Sequence, residues 1–293
     1  MFFPATVALL MFGAPATVSR DRIPSVDVSG PQSPGIPAVV SDATPPPNVA
    51  AGGVKWITVT SPRLGVMLAA VATPSSRGPF TTVVILHGSH GFAREYVQLA
   101  KDLADRGVQA MAPCWFSGSS GGAGSRFVTP IACPEAPPIP TASSAQALAT
   151  VDALIQAARQ LPGARPDRIA LLGHSRGGGA ALNYILKHSG VYAAILNSTG
   201  YPSEVTGAAA GVQAPILLLH GSADDPSDGG SARTTVTMAR AFQEAVRRAG
   251  KPIDAHYYDA AGHNAIFTSE TQRLDELLRV VRFLKHPTVP SND

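Results

Sequence analysis

The chain has 293 residues, of which 45% are hydrophobic and only 15% charged, with 28 Gly and 26 Pro. That is enough apolar material for a sizeable core, and so much Gly and Pro excludes a coiled coil or a plain helical bundle. The net charge of +3 comes from 23 basic and 20 acidic residues with no Lys/Arg run longer than two, so no nucleic-acid partner is expected.

Residues 1–19 are apolar and uncharged. They fit the hydrophobic region of a secretory signal, with Ala14-Pro15-Ala16 as a small-residue cleavage site, although no Lys or Arg precedes the run. Export, secreted or periplasmic, is therefore the expected localisation, with the cytoplasm as the alternative. No stretch reaches about 18 uninterrupted apolar residues, so no integral membrane segment is expected. Residues 20–53 hold seven prolines and show no helical or strand period, which predicts a disordered linker.

The ordered catalytic domain is expected over 54–288. Residues 55–60 and 65–72 read as strands joined by a Ser61-Pro62-Arg63 turn, and 81–87 as a strand buried on both faces. Tyr96, Leu99, Ala100 and Leu103 recur at helical spacing, with Gly107 closing the helix. A short strand follows at 108–113. Residues 114–141 are rich in Gly, Ser and Pro and predict a lid-like insertion loop. Helical spacing resumes at Leu148, Val151, Ile155 and Ala158, before a strand at 168–173 and a helix at 177–188. Strands at 191–196 and 215–220, a helix through Met238, Phe242 and Val246, a strand at 253–258 and a helix through Leu274–Leu284 complete the chain. Alternating strands and helices imply an α/β fold: a mostly parallel central sheet of about eight strands with helices on both faces.

Gly173-His174-Ser175-Arg176-Gly177 matches G-x-S-x-G directly between a buried strand and a helix, where a sharp turn can hold a serine hydroxyl above the strand ends. Serine needs a base, and the base needs an orienting carboxylate; on such a sheet they follow in the order Ser, acid, His. Asp224, after the strand P-I-L-L-L-H, is the expected acid, with Asp225 its rival and Asp228 a more distant third. His263, in Gly262-His263-Asn264 after the last strand, is the expected base. The oxyanion needs preformed N–H donors. The backbone N–H groups of Arg176, after the nucleophile, and Ser89, in the loop His87-Gly88-Ser89-His90-Gly91-Phe92, are the candidates. A metal site would have to gather His87, His90 and His263, which lack supporting ligand spacing, so no metal is expected.

The motifs H-G-S-H-G-F-A-R-E-Y, G-H-S-R-G-G-G, H-G-S-A-D-D and G-H-N, in that order, resemble the α/β-hydrolase superfamily, and most closely its dienelactone hydrolase-like branch. The resemblance spans residues 55–285. It implies hydrolysis of carboxylic esters or related acyl groups with no metal or organic cofactor. Dienelactone hydrolases themselves use a cysteine nucleophile; Ser175 stands there in this chain, so lactone specificity does not carry over. The resulting expectation is a serine esterase acting on a small-molecule ester through an acyl-enzyme. A peptidase or amidase of the same fold, and a non-catalytic binding protein, are the alternatives.

Trp115 and Phe116 open the 114–141 loop and are candidates for the substrate pocket, with ordinary core as the competing reading. Cys114 and Cys133 bracket the Gly-rich half of the loop, and in an exported protein a disulfide between them would restrain it.

Overall fold

The structure is a computed structural model and describes residues 33–287 apart from 48, 50, 51, 118–126, 134 and 140. The expected signal at 1–19 and the linker's first part, 20–32, lie outside the described residues. The described residues form nine strands, β1 (Val39–Asp42), β2 (Lys55–Ser61), β3 (Gly65–Ala72), β4 (Phe80–Leu86), β5 (Gln109–Pro113), β6 (Ala164–His174), β7 (Ala193–Asn197), β8 (Ile216–Gly221) and β9 (Ile253–Tyr258). Its helices are α1 (Arg94–Ala104), α2 (Ala145–Arg159), α3 (Arg176–Ile185), α4 (Ser203–Gly207), α5 (Val236–Arg248), α6 (Ala265–Thr268) and α7 (Glu270–Lys285).

One sheet contains all nine strands in the order β1-β2-β3-β5-β4-β6-β7-β8-β9. β5, β4 and β6 to β9 run parallel, and β1, β2 and β3 add an antiparallel flank. The apolar run of β4 explains its central place. Val84 and Leu86 point into a core with Leu154, Tyr184 and Phe242 from α2, α3 and α5. Val83 and Ile85 point the other way, into a core with Tyr96 and Leu103 of α1 and Leu277 and Val280 of α7. A strand buried on both faces has no polar side to alternate with. Local signals set the helix ends. Ser144 caps α2 by accepting the Ala147 N–H at 3.1 Å, and Gly107, at φ 85°, ends α1 with its N–H on the Ala104 carbonyl.

Two expectations are corrected. The stretch expected to be disordered contains β1, which brings the described sheet to nine strands. Residues 39–42 pair antiparallel with β2, and the segment before them is tied to α2. Ser33 hydrogen-bonds Asp152, whose Oδ2 also accepts the Ile36 N–H at 2.5 Å, and the Ala38 carbonyl accepts from Gln160. The buried Asp152 needs partners, and this Pro-rich segment supplies them. Second, the described parts of 114–141 pack onto the body rather than standing off it as a lid. Val128, Ile131, Ala136 and Ile139 are buried, Arg94 donates to the Thr129 carbonyl, and Ile131 donates to that of Phe92. Cys114 and Cys133 are joined by a disulfide. Most of the Gly-rich half, 118–126, lies outside the described residues.

Candidate active site

The parallel strands β4, β6, β8 and β9 end on one edge of the sheet. The loops after them carry His87-Gly88-Ser89, Ser175, Asp224 and His263, so the topology brings together residues spread over most of the domain. Ser175 is the N-cap of α3 at φ 53° and ψ −116°, a strained conformation for a residue with a side chain. Its N–H is held by the Asn197 carbonyl at 2.9 Å, and its carbonyl accepts from Gly179 at 3.0 Å. The turn is this tight only because glycines stand two residues to either side of Ser175. A Cβ on Gly177 would lie 2.0 Å from the Leu86 carbonyl oxygen, at the end of β4.

His263 stands between the other two residues. Its Nε2 is 2.9 Å from Ser175 Oγ, and its Nδ1 is 2.8 Å from Asp224 Oδ2. A carboxylate only accepts, so Nδ1 carries the proton and Nε2 offers its lone pair to the serine hydroxyl. Asp224 and His263 are each 3% exposed, which strengthens both contacts. The other oxygen of Asp224 accepts from Thr234 Oγ1 at 2.7 Å. His220 Nε2 also lies 3.4 Å from Asp224, but burial lowers its pKa, so it is neutral and donates to the Thr234 carbonyl at 2.5 Å.

The rival acids are elsewhere. Asp225 is exposed and caps the turn at Pro226–Asp228 by accepting from Ser227. Asp228 reaches the loop of the base without touching its ring, since its Oδ2 accepts the Asn264 N–H at 3.3 Å.

Ser89 is exposed on the loop after β4, and the adjacent Gly88 packs against the elbow: a Cβ on it would sit 3.4 Å from Ser175 Cβ. Arg176 is the first residue of α3, where backbone N–H groups have no intrahelical acceptor. Its guanidinium bonds the Ile139 carbonyl and lies 4.3 Å from the centre of the Phe116 ring. Trp115 is fully buried, and its Nε1 donates to the His87 carbonyl at 2.9 Å. The pocket expectation for this pair is corrected: both are core, and Trp115 braces the strand end below Ser89. His87 is buried with its pKa down to about 3, and its Nδ1 donates to the Gly88 carbonyl. Among the described residues no three His, Cys, Asp or Glu form a metal-ligand group.

The model of the dienelactone hydrolase family matches residues 67–283, which is most of the chain and all of the parallel sheet. The chain belongs to the dienelactone hydrolase family. A provisionally named carboxymethylenebutenolidase of Methylorubrum extorquens is 26% identical over 207 residues, covering 68% of either chain. Among solved structures, a provisionally named dienelactone hydrolase from Klebsiella pneumoniae has a TM-score of 0.61 at 20% identity, covering 85% of this chain and 99% of its own. An esterase from Pyrococcus furiosus has a TM-score of 0.60 at 17% identity, covering 87% and 98%. At these identities the structural likeness speaks for the fold.

Behind the elbow, this dienelactone hydrolase family member carries a linked pair, Asn197 and Glu276, of which the sequence pattern did not single out Glu276. Glu276, 2% exposed on α7, accepts from Asn197 Nδ2 and from Gln272 Nε2, each at 2.7 Å. Asn197 is the residue whose carbonyl holds the Ser175 N–H. The pair lines a small cavity with Leu172, Ile195, Leu219 and Leu277. This apolar setting pushes the Glu276 carboxyl up from 4.5 to about 8. An acid at a core-facing helical position was the available signal.

Two predictions follow from this geometry. Gly177→Ala should cost at least about 3 kcal/mol, because backbone must move, whereas Gly179→Ala should stay within about 1 kcal/mol of the parent. Chemical denaturation measures both, and equal effects would contradict the steric account. For Glu276, the unfolded carboxyl loses its proton near 4.5 and the folded one near 8. The unfolded state thus binds fewer protons between those values, and stability falls as pH rises through them, by at most about 1.4 kcal/mol per unit. Glu276→Gln should remove that slope from unfolding curves measured at pH 5 to 8; an unchanged slope would contradict the assignment.

Proposed function

We propose that this protein hydrolyses carboxylic esters through an acyl-enzyme on Ser175. The observation that carries the reading is the hydrogen-bonded line from Ser175 Oγ through His263 to Asp224, with the serine on a strained strand-to-helix turn. Ser175 Oγ attacks the ester carbonyl carbon while His263 Nε2 takes its proton. Asp224 holds the imidazole in its Nδ1–H tautomer and stabilises the imidazolium that forms. The backbone N–H groups of Arg176 and Ser89 receive the developing oxyanion. His263 then gives the proton to the leaving alkoxide. Water attacks the acyl-enzyme with His263 again as base, and the acid leaves as Ser175 recovers its proton.

Membership of the dienelactone hydrolase family supports this reading. So do the names of the carboxymethylenebutenolidase relative and the Pyrococcus furiosus esterase. A small-molecule ester is the substrate class. We infer in addition that the protein works in an oxidising compartment, secreted or periplasmic. The apolar N-terminal stretch and the disulfide between Cys114 and Cys133 support that placement.

Hydrolysis of p-nitrophenyl esters from acetate to palmitate tests the reading. The parent should turn over part of the series. Ser175→Ala and Asp224→Asn should each lower kcat about 10,000-fold or more. No turnover of any ester, or a Ser175→Ala variant that keeps its rate, would overturn it.

A further inference from the structure

Tyr96 lies on α1 and is fully buried, and its hydroxyl meets three groups from three parts of the site. The Gly88 nitrogen is at 2.8 Å, His90 Nε2 at 2.6 Å and His174 Nδ1 at 3.2 Å. Gly88 and His90 belong to the loop that carries Ser89, and His174 immediately precedes Ser175. The Phe267 ring closes the cluster edge-on, with its centre 5.1 Å from that of Tyr96 and 5.0 Å from that of His174.

One arrangement satisfies every donor and acceptor in the cluster. The Gly88 N–H can only donate, so the tyrosine oxygen accepts from it. His174 Nε2 is 3.1 Å from the carbonyl oxygen of His263, which can only accept, so Nε2 carries a proton. His174 is buried beside His263, and both effects hold its pKa well below the ordinary value. It is therefore neutral, and its Nδ1 must accept. The single hydroxyl proton of Tyr96 goes there. His90 Nε2 then has no role left but to donate to the tyrosine oxygen. The result is one directed chain: His90 Nε2–H to Tyr96 O–H to His174 Nδ1, and His174 Nε2–H to the His263 carbonyl.

We propose that Tyr96 is a positioning residue for the reaction, locking the Ser89 loop, the Ser175 elbow and the backbone of His263 into one register through a tautomer-fixed His90–Tyr96–His174 chain. The proposal rests on the Ser175 reading for its kinetic consequence, and on the hydrogen-bond geometry around a neutral, buried His174 for its tautomers. The three attached segments supply an oxyanion donor, the nucleophile and the base. Their relative placement must hold to a fraction of an ångström, and a shift of about 1 Å costs about 100-fold in rate. Tyr96→Phe keeps the ring in its packing and removes only the oxygen. It leaves the Gly88 N–H and the facing nitrogens of His90 and His174 without their partner.

The test uses the full chain with 15N-labelled histidine. Long-range 1H–15N spectra at pH 7, assigned with His90→Gln and His174→Gln, read each ring's tautomer. His90 and His174 should both be neutral Nε2–H forms in the parent, and both signals should shift in Tyr96→Phe. Alongside, kcat per active site, counted with a fluorophosphonate titrant, should fall about 10- to 100-fold in Tyr96→Phe with KM nearly unchanged. A structural role alone would lower the count of active sites and leave kcat per site intact. An Nδ1–H tautomer at His174 in the parent, or a parental kcat per site in Tyr96→Phe, would overturn the proposal. Where Tyr96→Phe fails to fold, the parent spectrum still decides. Absence of ester turnover in the parent would count against the Ser175 reading, while the tautomers would still decide the chain.

Discussion

The constraint on which the rest of this site depends is the close approach of the β6–α3 turn to the end of β4. The glycines flanking the elbow, Gly173 and Gly177, let α3 start directly against the Leu86 carbonyl, with no room for a side chain at Gly177. That approach forces Ser175 to φ 53°, and strain of this kind persists only where the surroundings over-determine it. Here they do. The Ser175 N–H is tied to Asn197 at the end of β7, and Asn197 is tied to Glu276 on α7. The nucleophile position is thus clamped between its two neighbouring strands, β4 and β7, and one helix.

So dry a place favours neutral groups, and its buried histidines are held neutral. Burial lowers the pKa of His87, His90, His174 and His220 alike. Held neutral, each can donate from one nitrogen, and each finds an oxygen: a carbonyl for His87, His174 and His220, and Tyr96 for His90. No extra positive charge then competes with His263 for Asp224. The carboxylate keeps two close partners, His263 Nδ1 on one oxygen and Thr234 Oγ1 on the other.

Much of this was legible in the sequence because it is written in local signals. The continuous apolar run of β4, the 3.6-residue spacing of α1, α2 and α7 and the glycines around Ser175 are properties of adjacent residues. They placed Ser175, His263 and the parallel sheet. Asp224 could be preferred over Asp225 and Asp228 only by chain position; the fold separates them by directing Asp225 to solvent and Asp228 to the Asn264 backbone. What stayed hidden depends on distant partners. β1 is four residues flanked by prolines, and it forms because β2 offers an open edge and Asp152 needs donors. Trp115 reads equally as pocket or core until the His87 carbonyl is seen above its indole nitrogen. Tyr96 and Glu276 sit at correct core positions of their helices. Nothing in the spacing says that a hydroxyl and a carboxyl there serve the far end of the sheet.

In the proposed reaction Ser175 is the group that forms a covalent bond to the acyl carbon. Treatment with a fluorophosphonate ester, followed by mass spectrometry of the digested protein, tests it most directly. A single adduct on Ser175 is expected, lost when His263 is replaced by Ala. An adduct on another residue, or ester turnover that continues with Ser175 unmodified, would contradict it.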